Sequence, residues 1–408
     1  MKRVVVTGMA GFSPIGNDWE TIHGRLKDMK TGIVHMDDWD KYDGLNTRLG
    51  APVTDFEMPD HYRRKDLRSM GRVAQFAVRS AEIALEDAGL LGDEELKSGN
   101  VGVSFGSSAG DSLAVADFGN MLINHSTDGL NANSYIKMMA HTAPVNIGIY
   151  FGLRGRVITT SSACTSGSQG IGYAYEMIKN EQQIAMVAGG CEGLCASEAA
   201  VFDTLYATSV KNDEPHLSPR PFDRDRDGLV IGEGGGTLIL EELEHAQARG
   251  ATIYAEVVGF GTNSDGSHIT QPSAETMEIA IRLSLKNAQI SADEIGYISA
   301  HGTATDRGDI AESQATEAVF GNKTPISAFK SYTGHTLGAC GALEAWTSIE
   351  MMNNNWFHPT ANLENVDPAC GDLDYISNEG RSIETGYVMS NNFAFGGINS
   401  SLIFKRWS

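Results

Sequence analysis

One thiol, two imidazoles and one amine stand out in this chain because each lies beyond an apolar, strand-like run and beside glycine or other small residues. The thiol is Cys164, in Thr159-Thr160-Ser161-Ser162-Ala163-Cys164-Thr165-Ser166-Gly167, where a strand end passes through small residues into a helical pattern. A cysteine at a helix N-terminus meets unpaired N–H groups and the positive end of the macrodipole, which favour a thiolate near neutral pH. A backbone N–H in such a turn could also hold the oxyanion formed when the sulfur attacks a thioester. Standing alone, a cysteine in this position is more often a buried structural residue.

His301 opens His301-Gly302-Thr303-Ala304-Thr305 directly after the apolar run Ile295–Ala300, at the lip of a sheet where α/β proteins build sites. Thr303 and Thr305 alternate around Ala304, so both hydroxyls can face one channel. A structural histidine beside a surface threonine pair is the ordinary alternative. Lys330 and His335 belong to Lys330-Ser331-Tyr332-Thr333-Gly334-His335-Thr336-Leu337-Gly338-Ala339-Cys340-Gly341-Ala342-Leu343-Glu344, again after a strand. The small residues there predict a helix packed closely on a neighbour, and a capping histidine weighs evenly against a functional one. Asn391-Asn392-Phe393-Ala394-Phe395-Gly396-Gly397-Ile398-Asn399 sets two aromatics beside two glycines, as a mobile gate or as core packing at a hairpin.

These segments need a scaffold that ends strands at one rim. β-rich runs are predicted at Arg3–Thr7, Val101–Phe105, Arg156–Thr160, Ile184–Ala188, Gly235–Glu241, Tyr254–Phe260, Ile295–Ser299, Thr324–Ala328, Tyr387–Ser390 and Ser400–Lys405. Helical patterns at Trp19–Lys27, Asp66–Ala88, Ser166–Lys179, Glu275–Asn287, Asp309–Val319 and Gly341–Met352 alternate with them, which is a layered α/β arrangement. A soft boundary near Arg249–Gly250 divides the chain into residues 1–249, with the cysteine, and 250–408, with the histidines. No linker marks it, so two halves sharing one core are expected.

Composition narrows the function. A net charge of −21 argues against a general nucleic-acid or anionic-membrane binder. No apolar run reaches transmembrane length, and the run in MKRVVVTG is too short for a secretory signal. Cys164, Cys191, Cys195, Cys340 and Cys370 are odd in number and irregular in spacing, which suits a reducing compartment, here the cytoplasm. Cys191 and Cys195 lack a second ligand pair at zinc spacing, so no metal is expected.

Taken together, ACTSG, HGTAT, KSYTGH and NNFAFGG, with the N-terminal VVVTGM and the stretch Arg220-Pro221-Phe222-Asp223, resemble the elongating β-ketoacyl-acyl-carrier-protein synthases across essentially the whole chain, the synthase II type above all. The resemblance implies a thiolase fold, two similar halves in a five-layered α-β-α-β-α arrangement, and normally a homodimer. It implies an acyltransferase in which Cys164 accepts the acyl group and His301 and His335 stabilise the enolate formed by decarboxylation of malonyl-acyl-carrier protein. Lys330, with Glu344 as ionic partner, would set the electrostatics, and the N–H groups of Cys164 and Phe395 would form the oxyanion hole. Phe393 and Phe395 would gate the pocket. Thr303 and Thr305 would hold the phosphopantetheine arm, which arrives on the carrier protein, so no cofactor of the enzyme's own is implied. Acyl-carrier protein is acidic in this family, and Arg63, Arg64, Lys65 and Arg68 form the expected docking patch, with a solvated helix face as its alternative.

The chain departs from the family at Asp306, where many relatives carry proline, at Ala394, where glycine is usual, and at Ala109, where synthase II commonly has isoleucine at the acyl-pocket floor. Tyr135–His141, including Met138, also departs from the housekeeping pattern. An acyl pocket shaped by Ala109 and Met138 for long, unsaturated or aryl-bearing chains, as in aryl polyene synthesis, is therefore the expectation beside ordinary fatty acid synthesis. A thiolase would need a second catalytic cysteine near Phe393–Phe395, and a papain-like hydrolase would leave Lys330 and a second histidine unexplained. A chain-length factor usually lacks the cysteine, although this chain could pair with one in a heterodimer.

Overall fold

The computed structural model describes residues 1–408. The first half contributes β1 (Val4–Phe12), β2 (Val101–Gly106), β3 (Val157–Thr160), β4 (Ala185–Glu192) and β5 (Gly234–Glu242). The second contributes β6 (Ala255–Ser264), β7 (Tyr297–Ser299), β8 (Pro325–Ser327), β9 (Tyr387–Ala394) and β10 (Ile398–Arg406). The first set runs in the order β3-β2-β4-β5-β1 and the second in the order β8-β7-β9-β10-β6, so each strand has a counterpart five places later in the chain. Pairing repeats as well: β3-β2-β4 and β8-β7-β9 are parallel, and the two remaining joins in each set are antiparallel. Val4–Val6 of β1 pair antiparallel with Ala255–Val257 of β6 and join the sets into one sheet, with Asp374–Tyr375 added at its edge.

Five helices complete the layers: α1 (Arg72–Asp87), α2 (Ser166–Lys179), α3 (Ala274–Ala288), α4 (Asp306–Phe320) and α5 (Cys340–Asn354). α2 and α5 pack on each other and on strands of both sets, forming the middle layer. α1 covers the outer face of the first set, and α3, with α4 against it, covers that of the second. The result is the five-layered α-β-α-β-α thiolase arrangement. Strands sandwiched in this way have no wet face, so β1 and β4 are buried at every position instead of alternating. α5 is likewise buried on nearly all sides.

Close approach explains the small residues around the middle layer. A Cβ on Gly190 of β4 would lie 2.1 Å from the Gly338 carbonyl oxygen and 2.7 Å from the Gly167 Cα. Only glycine lets β4, the start of α2 and the loop before α5 meet there.

One predicted helix is not continuous. Asp66–Ala88 divides into Arg64–Leu67 and α1, with an extended Gly71 between them. The Asp111 carboxylate occupies the space a Gly71 side chain would fill and accepts the Arg72 N–H at 3.0 Å. A cap supplied from a distant part of the chain therefore starts the helix where local periodicity would carry it through.

Gly190→Ala is expected to destabilise the fold by about 1–3 kcal/mol through overpacking, read as a lower denaturant midpoint. An unchanged midpoint would show that the three backbones can part without cost.

Candidate active site

Cys164 lies in the single turn Ala163–Thr165 between β3 and α2. Ala163, just before it, takes φ 50°, a left-handed conformation that costs energy for a residue with a Cβ and turns the thiol inward. His335 occupies the corresponding place in the second half, after β8 and the short helix Lys330–Thr333 and before α5. The two loops meet: His335 Nε2 is 2.9 Å from Cys164 Sγ. The His301 ring, on the loop after β7, stands edge-on to His335 with centroids 5.2 Å apart.

Each side chain is fixed by neighbours. His335 Nδ1 accepts the Leu337 N–H at 3.2 Å, which leaves the proton on Nε2, facing the sulfur. Two carboxylates on successive turns of α4 hold the His301 loop. Glu312 accepts the N–H groups of His301 and Gly302 at 2.6 and 2.7 Å, and Asp309 accepts those of Thr303 and Ala304 at 3.0 and 3.1 Å. Lys330 donates to Glu344, whose other oxygen accepts the Asn392 amide N–H at 2.7 Å; both charged side chains are essentially inaccessible to water. A cavity of ≈ 480 Å³ opens onto Cys164, His301 and His335 and is lined by Thr303, Thr305, Phe202, Phe393 and Phe395.

Residues 1–246 match the family described as "Beta-ketoacyl synthase, N-terminal domain", and residues 254–364 match "Beta-ketoacyl synthase, C-terminal domain". The chain belongs to the β-ketoacyl synthase family. It is 38% identical to the 3-oxoacyl-[acyl-carrier-protein] synthase 2 of Vibrio cholerae over 99% of both chains. Among solved structures, a β-ketoacyl synthase from Burkholderia phymatum superposes with a TM-score of 0.99 at 58% identity over 100% of both chains. The ishigamide ketosynthase/chain length factor superposes at 0.90 with 31% identity, also over 100% of both.

The electrostatics of this β-ketoacyl synthase site correct one expectation. The helix-start position was expected to yield a thiolate near neutrality, but burial pushes the Cys164 thiol up to about 11. The Lys330 charge and the backbone N–H groups of Phe395 and Cys164 only partly offset this. α2 begins at Ser166, so the sulfur lies in the turn before the helix and inside the protein, where desolvation outweighs the dipole. Burial, and then the Lys330 charge, hold both His301 and His335 well below the ordinary histidine range, so both rings are neutral. Burial works against the Lys330 ammonium, but the acidic groups facing it, Glu344 among them, hold it above the ordinary lysine value. By spacing alone, Cys164, His301 and His335 could ligate a metal, since their donor atoms lie within 4.8 Å of one another. The buried Lys330 charge acting on all three opposes a further cation there.

The structure brings together Cys164, His301, His335, Lys330, Glu344, Phe393, Phe395, Thr303 and Thr305. Ala109 and Met138 are not among the residues that line this cavity. Ala109 is exposed on the turn after β2, and the neighbouring Gly110 packs on the Met138 carbonyl at the end of a short helix. Arg63, Arg64, Lys65 and Arg68 are exposed on and beside the helix Arg64–Leu67, away from the cavity lining, and Arg63 is tied to Asp66 at 2.8 Å. Sequence reasoning missed Asn392, Asp309 and Glu312 as supports. It also missed Phe202, whose ring stacks on Phe395 with centroids 5.0 Å apart, and Glu192, which accepts the Ser108 and Gly338 N–H groups at 2.7 and 3.1 Å. The i,i+3 spacing of Asp309 and Glu312 just after HGTAT was the one available signal.

Alkylation of Cys164 by iodoacetamide, followed by intact-protein mass, is expected to accelerate continuously from neutral pH to pH values near the thiol's own of about 11. A rate that levels off near neutrality would contradict the burial argument.

Proposed function

We propose that this chain carries an acyl group on Cys164 and condenses it with malonyl-acyl-carrier protein to give 3-ketoacyl-acyl-carrier protein. The observation that carries the reading is a buried thiol 2.9 Å from an Nε2-protonated His335, with neutral His301 beside it and two backbone N–H groups aimed at the sulfur. In the first step Cys164 sulfur attacks the acyl thioester, its proton passes to the departing pantetheine thiol, and the Cys164 and Phe395 N–H groups receive the oxyanion. In the second, the malonyl carbonyl oxygen lies against the Nε2–H groups of His335 and His301. Carbon dioxide leaves, and the electron pair of the broken bond forms an enolate that the two donors stabilise without being deprotonated. The enolate carbon attacks the acyl carbonyl, and the Cys164 sulfur departs toward the positive charge of Lys330.

Thr303 and Thr305 hold the phosphopantetheine arm in the cavity, and Phe393 with Phe395 forms its gate. The arm belongs to the substrate, so no cofactor or metal of the chain's own enters the reaction. Exposed Arg63, Arg64, Lys65 and Arg68 offer positive charge to an acidic carrier protein on a chain of net charge −21. Free cysteines throughout suit the cytoplasm. Fatty acid elongation is supported by the 3-oxoacyl-[acyl-carrier-protein] synthase 2 relatives. A type II polyketide role beside a chain-length factor is favoured by the ishigamide ketosynthase/chain length factor together with a solved type II PKS acyl-carrier protein in complex with its ketosynthase. Val157 on the free edge strand β3 and Ile149 on the helix packed against it are exposed apolar residues, as are Leu113, Leu122 and Ile123 on the helix Ser112–Asn124, which supports a dimer formed through these surfaces, with the region of Ala109 and Met138 closed by the second subunit.

Wild-type enzyme given malonyl-carrier protein and a panel of saturated and aryl-polyenyl acyl-carrier proteins is expected to form 3-ketoacyl products, and Cys164→Ala none. His335→Ala is expected to lose about 10²–10³-fold in malonyl decarboxylation, the usual effect of removing one oxyanion donor. Condensation retained in Cys164→Ala overturns the mechanism. Preference for saturated chains rejects the aryl polyene role.

Leu122→Asp with Ile123→Asp is expected to halve the native mass measured by light scattering. An unchanged assembly places the contact elsewhere.

A further inference from the structure

The cavity contains a gradient that continues past the residues the proposed condensation uses. His301, Thr303, Thr305 and Arg307 all line it and lie two residues apart along one segment. Their burial falls in the same order: His301 is 6% and Thr303 8% exposed, Thr305 is half-buried and Arg307 is exposed at the lip. A phosphopantetheine arm bears its groups in a matching order, from the reacting thioester through two amides to a phosphate.

The charges at the lip differ in their engagement. Arg226 also lines the cavity, but its side chain is only 2% exposed and it is consumed by carboxylates: Asp367 at 2.6 Å, Asp306 at 3.4 Å and Asp309 at 3.7 Å. The carboxylates on the lining are engaged too. Asp306 faces Arg226, Asp227 accepts from the Ser209 hydroxyl and Val210 N–H at 3.0 Å, and Asp265 accepts from Asn399 at 2.8 Å. The side chain of Arg307, the neighbour of the unusual Asp306, makes no hydrogen bond or ion pair within the chain, so its guanidinium is the cation on the lining left free for an outside anion.

Resting on the proposed function, we infer that Arg307 is a positioning residue that receives the phosphate of the incoming phosphopantetheine arm and so sets the depth to which the thioester reaches Cys164. A guanidinium fits a phosphate through two parallel N–H donors, which an ammonium cannot reproduce. The phosphate would then mark the outer end of the arm while Thr303 and Thr305 hold its middle.

Small thioesters isolate this contact from carrier-protein docking. Acylation of Cys164 is followed by intact-protein mass with octanoyl-phosphopantetheine and with octanoyl-pantetheine, which differ only in the phosphate. Wild-type enzyme is expected to favour the phosphorylated donor roughly tenfold in kcat/KM, the scale of one charge-assisted contact. In Arg307→Ala that ratio is expected to collapse to within about twofold, and Arg307→Lys should retain part of it. A fold defect would slow both donors alike and leave the ratio in place. Equal use of the two donors by wild type, or an undiminished ratio in Arg307→Ala, overturns the inference. Failure of wild-type Cys164 to accept the acyl group from either donor instead overturns the proposed function, and the inference with it.

Discussion

The ammonium of Lys330, buried against the Glu344 carboxylate, is the charge that acts on the thiol and on both imidazoles around it. Its charge pulls against the desolvation of Cys164 and adds to the desolvation of His301 and His335. It therefore favours a sulfur anion when one must form and disfavours imidazolium at both rings. A buried charge without a partner would not persist, and removing one member of such a pair typically costs about 3–5 kcal/mol. Glu344 is satisfied in turn by Asn392, whose amide also lies 3.5 Å from His301 Nδ1. One chain of contacts thus links the buried charge pair to the His301 ring.

The backbone around these groups is held by carboxylates acting as acceptors. Glu312 and Asp309 take up the N–H groups of the His301 loop, Asp309 also accepts from Phe222 at 2.7 Å, and Glu192 ties the turn after β2 to the loop after His335. Loops at strand ends have no ladder partner for their N–H groups, and a buried carboxylate supplies one without the freedom of water. Precision at the thiol therefore comes from residues that do not themselves line the cavity.

Much of this was legible in the sequence because it is local. All ten strands of the two repeated sets lie where β-rich runs predicted them, and Cys164, His301, Lys330 and His335 each follow a strand in a short stretch of small residues. What stayed illegible depends on distance. Asp111 ends the approach to α1 from across the fold, Asn392 reaches Glu344 from a different strand, and Phe202 meets Phe395 only after folding. The state of Cys164 was misjudged for the same reason. A helix start can be read in a window of residues, but the enclosure that desolvates the sulfur is built by both halves.

The loop after β3 and the loop after β8 are topological equivalents, and they meet at Cys164 and His335. The pseudo-twofold relation between the halves thus breaks where the thiol and the imidazole meet. A strictly repeated chain would face cysteine with cysteine or histidine with histidine, either two nucleophiles or two donors. Divergence at a pair of equivalent loops supplies one of each, so a nearly symmetric scaffold acquires a direction: a thiol from one half, a neutral imidazole donor from the other.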